Sequence, residues 1–354
     1  MKKLIATALI SLLGAINIQA QDNNPTVQGT TYFLPRTALR FSVLVEKQDY
    51  TPGEYAKYAE KYLRKSDILF EPQTTYRIVG VSISSFGMPD STKQFVAKND
   101  AKHSISNIEM TDNGILLAVN TTNTRTIKEP ESFKPAPKSK PLNPRDFMTE
   151  EILAAGSTVK MAELCAREIY DIRENKSLLN KGQADFMPKD GEQLRIMLGN
   201  LDRQEAALLQ LFEGVTATDT IEKVFTFIPS KESGKQTLFR FSSRLGLTDA
   251  DDLSGKPYYI EVEDMHSMPT IKTTLEDVKK EKDDSGICVN LPGKIKATLY
   301  RGSEVWAAYE LYAAQYGRVE ALNSNMFSKK FTTSLTLNPI TGNVESISTE
   351  MIKK

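Results

Sequence analysis

The sequence predicts an α+β protein in which an antiparallel two-helix hairpin lies between two mainly antiparallel β regions. Apolar residues alternate with polar ones through residues 39–45 and in many short runs after residue 218, which is the period of strands with one buried face. From residue 149 to residue 213 apolar residues instead recur at helical spacing. Turn sequences such as Arg301, Gly302 and Ser303 separate the later strand-like runs.

The first twenty residues have the pattern of a secretory signal peptide. Lys2 and Lys3 precede an apolar segment at residues 4–18, and Ala20 comes directly before a polar run that starts at Gln21. This apolar segment is too short for a membrane span, and no later stretch approaches the roughly 18 to 20 apolar residues that a span needs. We therefore expect cleavage near Ala20 and an exported mature chain, periplasmic or outer-membrane-associated, with no membrane span.

Composition excludes several classes of partner. Lysine plus arginine equals aspartate plus glutamate at 45 each, whereas binding to nucleic acid or to an anionic membrane favours clustered basic residues. The two cysteines, Cys165 and Cys288, are too few for a disulfide framework, and their apolar surroundings favour two buried free thiols over a bridge. We predict no nucleic-acid partner and no cofactor.

Residues 21–120 are predicted to form a β-rich domain with one short helix. Thr51 is placed to cap this helix, with Pro52 at its first position and Glu54 at its third. Gly114 ends a turn that favours a hairpin between its flanking runs. Strands are expected at residues 39–45, 76–86, 105–110 and 115–119.

A group of tyrosines, Tyr50, Tyr55, Tyr58 and Tyr62, lies at and after the start of this helix. Two interpretations are open. The group could form a stacking surface for sugar rings or a partner protein, since tyrosine combines apolar area with a polar tip. The spacing of the last three favours the other interpretation, in which the helix packs its aromatic face on the first sheet.

Residues 121–148 are predicted to be an extended linker or a long surface loop. This segment contains five prolines among charged and small polar residues, with few apolar side chains to bury. It separates the first β region from the helical segment.

Residues 149–214 are predicted to form the helical hairpin. The first helix is expected from Thr149, which is placed as its N-cap, to about residue 174. The second is expected at residues 190–213, where Gly214 ends it. The apolar stripe of the first helix is predicted to consist of Ile152, Ala155, Val159, Ala162, Ala166, Ile169 and Ile172.

Residues 215–354 are predicted to form a second antiparallel β domain. Residues 224–228 and 238–241 are expected to pair as a hairpin across Ser233 and Gly234. Further strands are expected at residues 258–262, 295–300, 305–312 and 331–337.

Short catalytic motifs give little support for an enzyme. Ser157 and Lys160 match S-x-x-K, the nucleophile motif of penicillin-recognising enzymes, but its S-D-N and K-T-G partners are missing. An exposed helix face is the favoured interpretation. Ser233, Gly234 and Lys235 resemble part of a phosphate-binding loop without its upstream glycine, so a turn is expected there.

The chain offers two weak candidates for an ion site. Only His103 and His266 are histidines, and Glu261, Glu263 and Asp264 precede the second of them. Strand alternation would place the two glutamates on one exposed face beside a turn. Residues 248–255 are rich in aspartate, as calcium loops are, but their spacing departs from that of an EF-hand. A solvated acidic turn is favoured, and we assign no metal-ligating residue.

Several strings spread over most of the chain resemble a family of exported proteins from Bacteroidales-type bacteria, catalogued as domain of unknown function 4831. The resemblance implies export and transfers no catalytic residue. The strings that carry it lie at residues 32–37, 50–63, 172–174, 188–192, 201–205 and 314–317.

These observations favour a non-catalytic protein, because no set of nucleophile, base and orienting group can be recognised. We predict an exported envelope or surface-associated protein that acts as an interaction scaffold, with other envelope proteins or glycans as its partners. Two alternatives remain open: a glycan hydrolase that uses paired carboxylates, and a carbohydrate- or peptide-binding module. Facing carboxylates in a deep cleft would favour the hydrolase, and an exposed tyrosine platform would favour the binding module.

Overall fold

The computed structural model describes residues 29–98, 104–125, 132–137, 140–231, 234–269 and 286–352. The predicted signal peptide, His103 and Ser233 lie outside the described residues. Within them, helices combine with antiparallel sheets, which confirms the α+β class.

Twelve strands are described, and all neighbouring strands in their sheets pair antiparallel. They are β1 (Gly29–Thr51), β2 (Gln73–Lys98), β3 (Ile108–Met110), β4 (Leu116–Val119), β5 (Val215–Phe227), β6 (Gln236–Ser242), β7 (Gly246–Thr248), β8 (Lys256–Asp264), β9 (Cys288–Arg301), β10 (Glu304–Ala321), β11 (Phe331–Leu337) and β12 (Val344–Met351).

The strands form three sheets. The first has the order β2-β1-β5, the second β12-β11-β4-β3, and the third β10-β9-β8-β6-β7. The predicted hairpin around Gly114 is confirmed, since β3 pairs with β4 and Gly114 has a φ of 80°, a value that glycine adopts without strain.

The long strand β1 supplies the core of both neighbouring sheets. Its first part places Tyr32 and Leu34 in a cluster with β4 and β11 of the second sheet. Its second part places Leu39 and Phe41 against the inner face of the third sheet. The predicted strand at residues 39–45 is therefore confirmed, and Phe41 is fully buried.

A stack of aromatic rings extends this core between the first and third sheets. Phe225 lies 5.0 Å from Phe239, Phe239 lies 4.8 Å from Tyr258, and Tyr258 meets Trp306 edge-on at 5.2 Å between ring centroids. These distances are typical of favourable aromatic pairs, and the four rings join strands of both sheets.

The predicted hairpin between residues 224–228 and 238–241 is wrong. The first of these segments lies in and just after β5, which pairs with β1, and the second lies in β6, which pairs with β7 and β8. The hairpin was predicted because the two segments are neighbours in sequence with a turn between them. The structure instead places β5 along β1, where Phe225 and Phe227 pack against the shared core.

Four α-helices are described: α1 (Ala59–Leu63), α2 (Glu150–Leu153), α3 (Thr158–Lys181) and α4 (Gly191–Glu213). None of the described helices has the length and apolar character needed to cross a membrane. The helix predicted at residues 190–213 is confirmed, with Asp190 as its N-cap and Gly214 at its end.

The single helix predicted from residue 149 to about residue 174 is wrong, because the segment forms two helices. Thr149 caps the short helix α2 as expected. Ser157 then accepts a hydrogen bond from the Lys160 backbone N–H and caps a new helix, α3. Because α3 does not continue α2, the spacing of apolar residues across the break no longer places them on one side. Val159 in the first turn of α3 is therefore exposed, although it belonged to the predicted apolar stripe.

The predicted capping role of Thr51 is also wrong. Thr51 is the last residue of β1 and pairs with Val215, and the first helical turn begins only at Ala56, too far along the chain for Thr51 to cap it. A 3₁₀ turn at Ala56–Tyr58 leads into α1, and no side chain caps either element.

The α1 segment packs on the other helices rather than on the first sheet, which corrects the predicted packing of the tyrosines. Tyr55 is fully buried in a cluster with residues of α3 and α4, and its ring meets Phe212 at 5.6 Å. The helices α3 and α4 are also joined by ion pairs from Arg173 and Lys176 to Glu205, at 2.6 and 2.8 Å.

Candidate functional site

The outward side chains of the third sheet form a surface of tyrosines and mixed charges, which we call the tyrosine face. Residues opposite each other on neighbouring strands share a face of the sheet, and the observed register therefore fixes its members. They are Thr237, Tyr259, Glu261, Glu263, Lys294, Lys296, Tyr300, Val305, Ala308, Glu310 and Tyr312, with Thr298 buried among them, together with Lys235, which directly precedes β6.

The strands that carry this face owe their orientation to the apolar residues between its members. On β8, Tyr258, Ile260 and Val262 point inward and are buried. Because side chains alternate along a strand, Tyr259 and Glu261 point outward. The inner face buries the core, and the outer face presents polar and aromatic groups.

A cation over two aromatic rings marks one end of the face. Tyr259 lies opposite Tyr300, and Val305 lies opposite Tyr300 on the next strand. The Lys235 ammonium lies 3.9 Å from the centroid of the Tyr300 ring and 4.9 Å from that of Tyr259, as in a cation–π contact. Val305 is 62 % exposed, so this end combines apolar area with a positive charge.

The Tyr300 hydroxyl is fixed by a carboxylate. It donates a 2.7 Å hydrogen bond to Glu261 Oε2. This hydrogen bond raises the pKa of Tyr300, with a smaller contribution from burial and from the nearby negative charges. The phenol therefore stays protonated and remains a donor to Glu261.

The other end of the face is charged. Lys294 Nζ donates to Glu310 Oε2 at 2.6 Å, and this pairing raises the pKa of Lys294 and lowers that of Glu310. Tyr312 lies opposite Lys294 and is 56 % exposed. Exposed tyrosine is one of the side chains that protein interfaces use as anchors.

The candidate site at His266 comes together only in part, because Asp264 Oδ2 lies 3.4 Å from His266 Nδ1 while Glu261 is engaged elsewhere. His266 is exposed and has a φ of 50° in the turn after β8, where its backbone N–H bonds Asp264. Glu261 and Glu263 lie on the strand before the turn, as the alternation predicted, and Glu261 is engaged by Tyr300. Among the described residues, no group of three or more His, Cys, Asp or Glu side chains is arranged to hold a metal.

The acidic segment at residues 248–255 surrounds an arginine of its own chain. Arg240 donates from Nε to the Ala250 carbonyl at 2.8 Å and from its terminal nitrogen to the Gly255 carbonyl at 3.2 Å. Asp252 accepts the Ser254 backbone N–H and has a lowered pKa for that reason. Two carbonyls of this segment are thus bonded to the Arg240 guanidinium, which places a positive charge beside the acidic residues.

The remaining candidates have structural partners. In the S-x-x-K motif, Ser157 is a helix cap and Lys160 pairs with Glu163 at 2.9 Å. The Tyr50 hydroxyl lies within hydrogen-bond distance of two backbone carbonyls, Tyr55 is buried, and Tyr58 and Tyr62 are half-buried against the helical cluster, so the four form no open stacking platform.

Cys165 and Cys288 are free thiols that lie in different clusters of the core. Burial raises the pKa of Cys165 to about 12 and also raises that of Cys288. Thiols held protonated in this way are poor nucleophiles.

A surface pocket of about 400 Å³ lies elsewhere, at the segment between α1 and β2. It is lined by Leu69, Phe70, Glu71, Pro72 and Gln73. Glu71 is the single carboxylate among these lining residues, so the pocket lacks the facing carboxylates that would favour a glycan hydrolase.

Sequence reasoning missed the tyrosine face as a unit. The alternation in residues 258–264 was visible, and it placed Glu261 and Glu263 outward. The meeting of Tyr259 with Tyr300 depends on the register between β8 and β9, which no local pattern specifies. The one sign of this face in the sequence is that the outward positions of each strand carry both aromatic and charged side chains.

Comparison with models of protein families gives a match over most of the chain. The model of a family described as "Domain of unknown function (DUF4831)" matches residues 28–345. No curated protein and no solved structure matches the chain.

Proposed function

This chain belongs to the family described as Domain of unknown function (DUF4831), and we propose that it is an exported, non-catalytic interaction scaffold of the cell envelope. Its partner is another envelope protein, which binds the tyrosine face. The amino-terminal sequence supports export, because Lys2 and Lys3 precede a short apolar segment and a polar run.

The tyrosine face is the observation that carries this proposal. Two ends with different chemistry lie on one sheet surface: the ring pair with Val305, and the charged end with Tyr312. Tyrosine supplies large contact area at a low cost in conformational entropy, and the charged pairs supply complementarity that selects a partner. A sheet surface of tyrosines and paired charges suits a protein partner better than a small ligand, which prefers an apolar cleft.

We also propose that α3 and α4 act as one antiparallel hairpin that braces the end of β1. The pairs of Arg173 with Glu205 and of Lys176 with both Glu205 and Asp202 support this arrangement, because residues later in α3 meet residues earlier in α4. A scaffold needs such a rigid base, since binding then costs less ordering.

The test is capture of partners from the native envelope. The mature chain, immobilised, is compared with the double variant Tyr259→Ala, Tyr300→Ala, and bound proteins are identified by mass spectrometry. Tyr170→Ala is the matched control, because Tyr170 is an exposed tyrosine on α3 outside the face. Circular dichroism verifies that all variants fold.

We expect proteins that bind the native chain and the Tyr170→Ala control and that are lost, by about tenfold or more, with the double variant. If every captured protein binds the double variant as strongly as the native chain, the proposed role of the face is wrong.

A carbohydrate-binding module is the second candidate function, favoured by the ring pair at Tyr259 and Tyr300. Sugar rings stack on open aromatic faces, but the Lys235 ammonium lies over both rings. Lys235→Ala should therefore strengthen glycan binding if glycans are the ligand, as measured on a glycan array. Glycan turnover that Glu261→Gln abolishes would instead support the carboxylate-dependent hydrolase.

A further inference from the structure

The strand β12 is an outer strand of the second sheet, and within the described part of the chain no strand pairs with its free edge. Seven of its eight residues are exposed. Every second residue of an outer strand directs its backbone N–H and C=O away from the sheet, which makes the edge a template for another strand.

One face of β12 continues the buried face of its neighbour β11. Ile347 lies opposite Leu335, and Thr349 lies opposite Thr333 with 3.2 Å between their hydroxyl oxygens. Leu335 and Thr333 are fully buried. Ile347 is nevertheless 42 % exposed and Met351 is 73 % exposed, so the apolar surface stops at an open edge.

This edge has less protection against pairing than the other outer strands, because its only charged side chains are Glu345 and Glu350 and Glu345 is paired with Arg125. Natural outer strands carry lysine or proline, or are very short. The outer strands β2, β5 and β10 each contain a Lys, Arg or Pro, and β3 and β7 have three residues each. The residues of β12 include no Lys, Arg or Pro.

We infer that a second copy of this chain adds to β12 as an antiparallel strand, with Thr349 on the two-fold axis. In this register Ile347 of each copy lies opposite Met351 of the other, so both exposed apolar side chains gain an apolar cross-strand partner. Ser348 lies opposite Glu350, and no like charges face each other.

The neighbouring symmetric registers are less favourable. An axis at Glu350 places two carboxylates directly opposite each other, which destabilises a strand pair. An axis at Ser348 places Ile347 opposite Thr349 and Met351 opposite Glu345, so neither apolar side chain meets another. Registers shifted by a single residue pair the inward face with the outward one.

Cross-linking tests the register. In the Thr349→Cys variant the two cysteines face each other across the axis, at the separation of an antiparallel pair, which a disulfide can bridge. In the matched control Ser346→Cys the two cysteines lie six residues apart along the strands, or about 20 Å. Ser346 is exposed on the same strand.

Under a mild oxidant we expect a disulfide-linked dimer for Thr349→Cys on a non-reducing gel. We expect little or none for Ser346→Cys and for the native chain, whose Cys165 is buried and whose Cys288 is half-buried. Equal cross-linking of the two variants, or none in Thr349→Cys, would overturn the inferred register.

Sedimentation tests the dimer without any added cysteine. The native chain should shift from monomer to dimer as its concentration rises, and Ile347→Lys should shift the midpoint to at least tenfold higher concentration. Ile347→Val keeps the apolar contact and should dimerise like the native chain. A native chain that stays monomeric at the highest soluble concentration would overturn the inference.

Discussion

At the scale of single residues, buried polar side chains join distant segments of the chain. Asn290 is fully buried, and its Nδ2 donates 3.0 Å hydrogen bonds to the carbonyls of Pro35 and Thr341. Thr37 accepts the Ala314 backbone N–H at its hydroxyl, and Gln315 bonds both backbone groups of Thr37. Two of the strings that carry the family resemblance therefore meet in one network.

The substitution Asn290→Ala should destabilise the chain strongly. It leaves two buried carbonyls without their donor, and unsatisfied buried groups cost about 1 to 3 kcal/mol each. We expect the free energy of unfolding to fall by about 2 to 4 kcal/mol in urea denaturation. Asn200→Ala, on an exposed site in α4, is the control and should change it by less than about 0.5 kcal/mol.

Glu205 gives the helical segment a dependence on pH. Burial alone would raise the pKa of Glu205, but its hydrogen bonds and ion pairs with Lys176 and Arg173 outweigh burial and lower the pKa. A carboxyl whose pKa is lower in the folded chain stabilises it above the unfolded pKa of about 4.3. That stabilisation is lost as the pH falls through the folded pKa.

Glu205→Gln should therefore lower the stability at pH 7 and reduce its loss on acidification from pH 5 to pH 3. Thermal unfolding across this range, followed by circular dichroism, measures both effects. Glu192→Gln removes an exposed pair with Arg195 and should change little in physiological salt. An unchanged pH dependence in Glu205→Gln would contradict the assigned role of the ion pairs.

At the scale of elements, the end of α4 is joined to the end of β1 by close backbone contact. The last carbonyls of a helix lack intrahelical donors. Here the Leu211 carbonyl accepts the Tyr55 backbone N–H at 2.6 Å, and the Glu213 carbonyl accepts the Tyr50 hydroxyl at 3.0 Å. Gly53 allows this approach, because a Cβ there would lie 2.2 Å from the Leu211 carbonyl oxygen.

We expect Gly53→Ala to separate these two elements. The clash involves backbone, which cannot move aside as a flexible side chain can, so a loss of about 1 to 3 kcal/mol in unfolding free energy is expected. Gly199→Ala in α4, where a Cβ would meet nothing within 4 Å, should be neutral or stabilising. Similar stabilities for both variants in urea denaturation would contradict the close contact.

Local patterns predicted elements better than they predicted partners. The strand at residues 39–45 and the helix at residues 190–213 follow from periodicity, because each buries one face. The break between α2 and α3 was missed, since the apolar spacing continues across Gly156 while Ser157 offers a second cap. Pairing partners such as β1 and β5 are about 180 residues apart, and their contact depends on packing of the whole chain.

The candidate site likewise shows that local patterns predict the direction of side chains but not their partners. Alternation in β8 predicted that Glu261 and Glu263 point outward, and the structure agrees. The carboxylates of residues 248–255 suggested a possible cation site, whereas in the structure two carbonyls of this segment bond Arg240 of β6. Sequence shows which groups a segment carries, and the fold decides which groups they meet.

At the scale of the whole molecule, β1 contacts all three sheets and the helical segment. It pairs with β2 and β5, packs on the second and third sheets through different parts of its length, and ends beside α4. Strands from both sides of the Pro-rich segment share sheets, since β5 pairs with β1 and β11 pairs with β4. Stability in one sheet should therefore depend on the others.

A fragment of residues 21–148 should not fold by itself. It retains β1 but lacks β5, β8, β9 and β11, so Leu39 and Phe41, both fully buried in the intact chain, would lose their partners. Each large side chain left in water costs about 1.5 to 3 kcal/mol, and a domain has only about 5 to 15 kcal/mol in total. The separately predicted domains at residues 21–120 and 215–354 would then be one folding unit.

Thermal unfolding of the fragment should show no cooperative transition, whereas the intact mature chain should show a single one. A cooperative transition in the fragment would establish an independent amino-terminal domain.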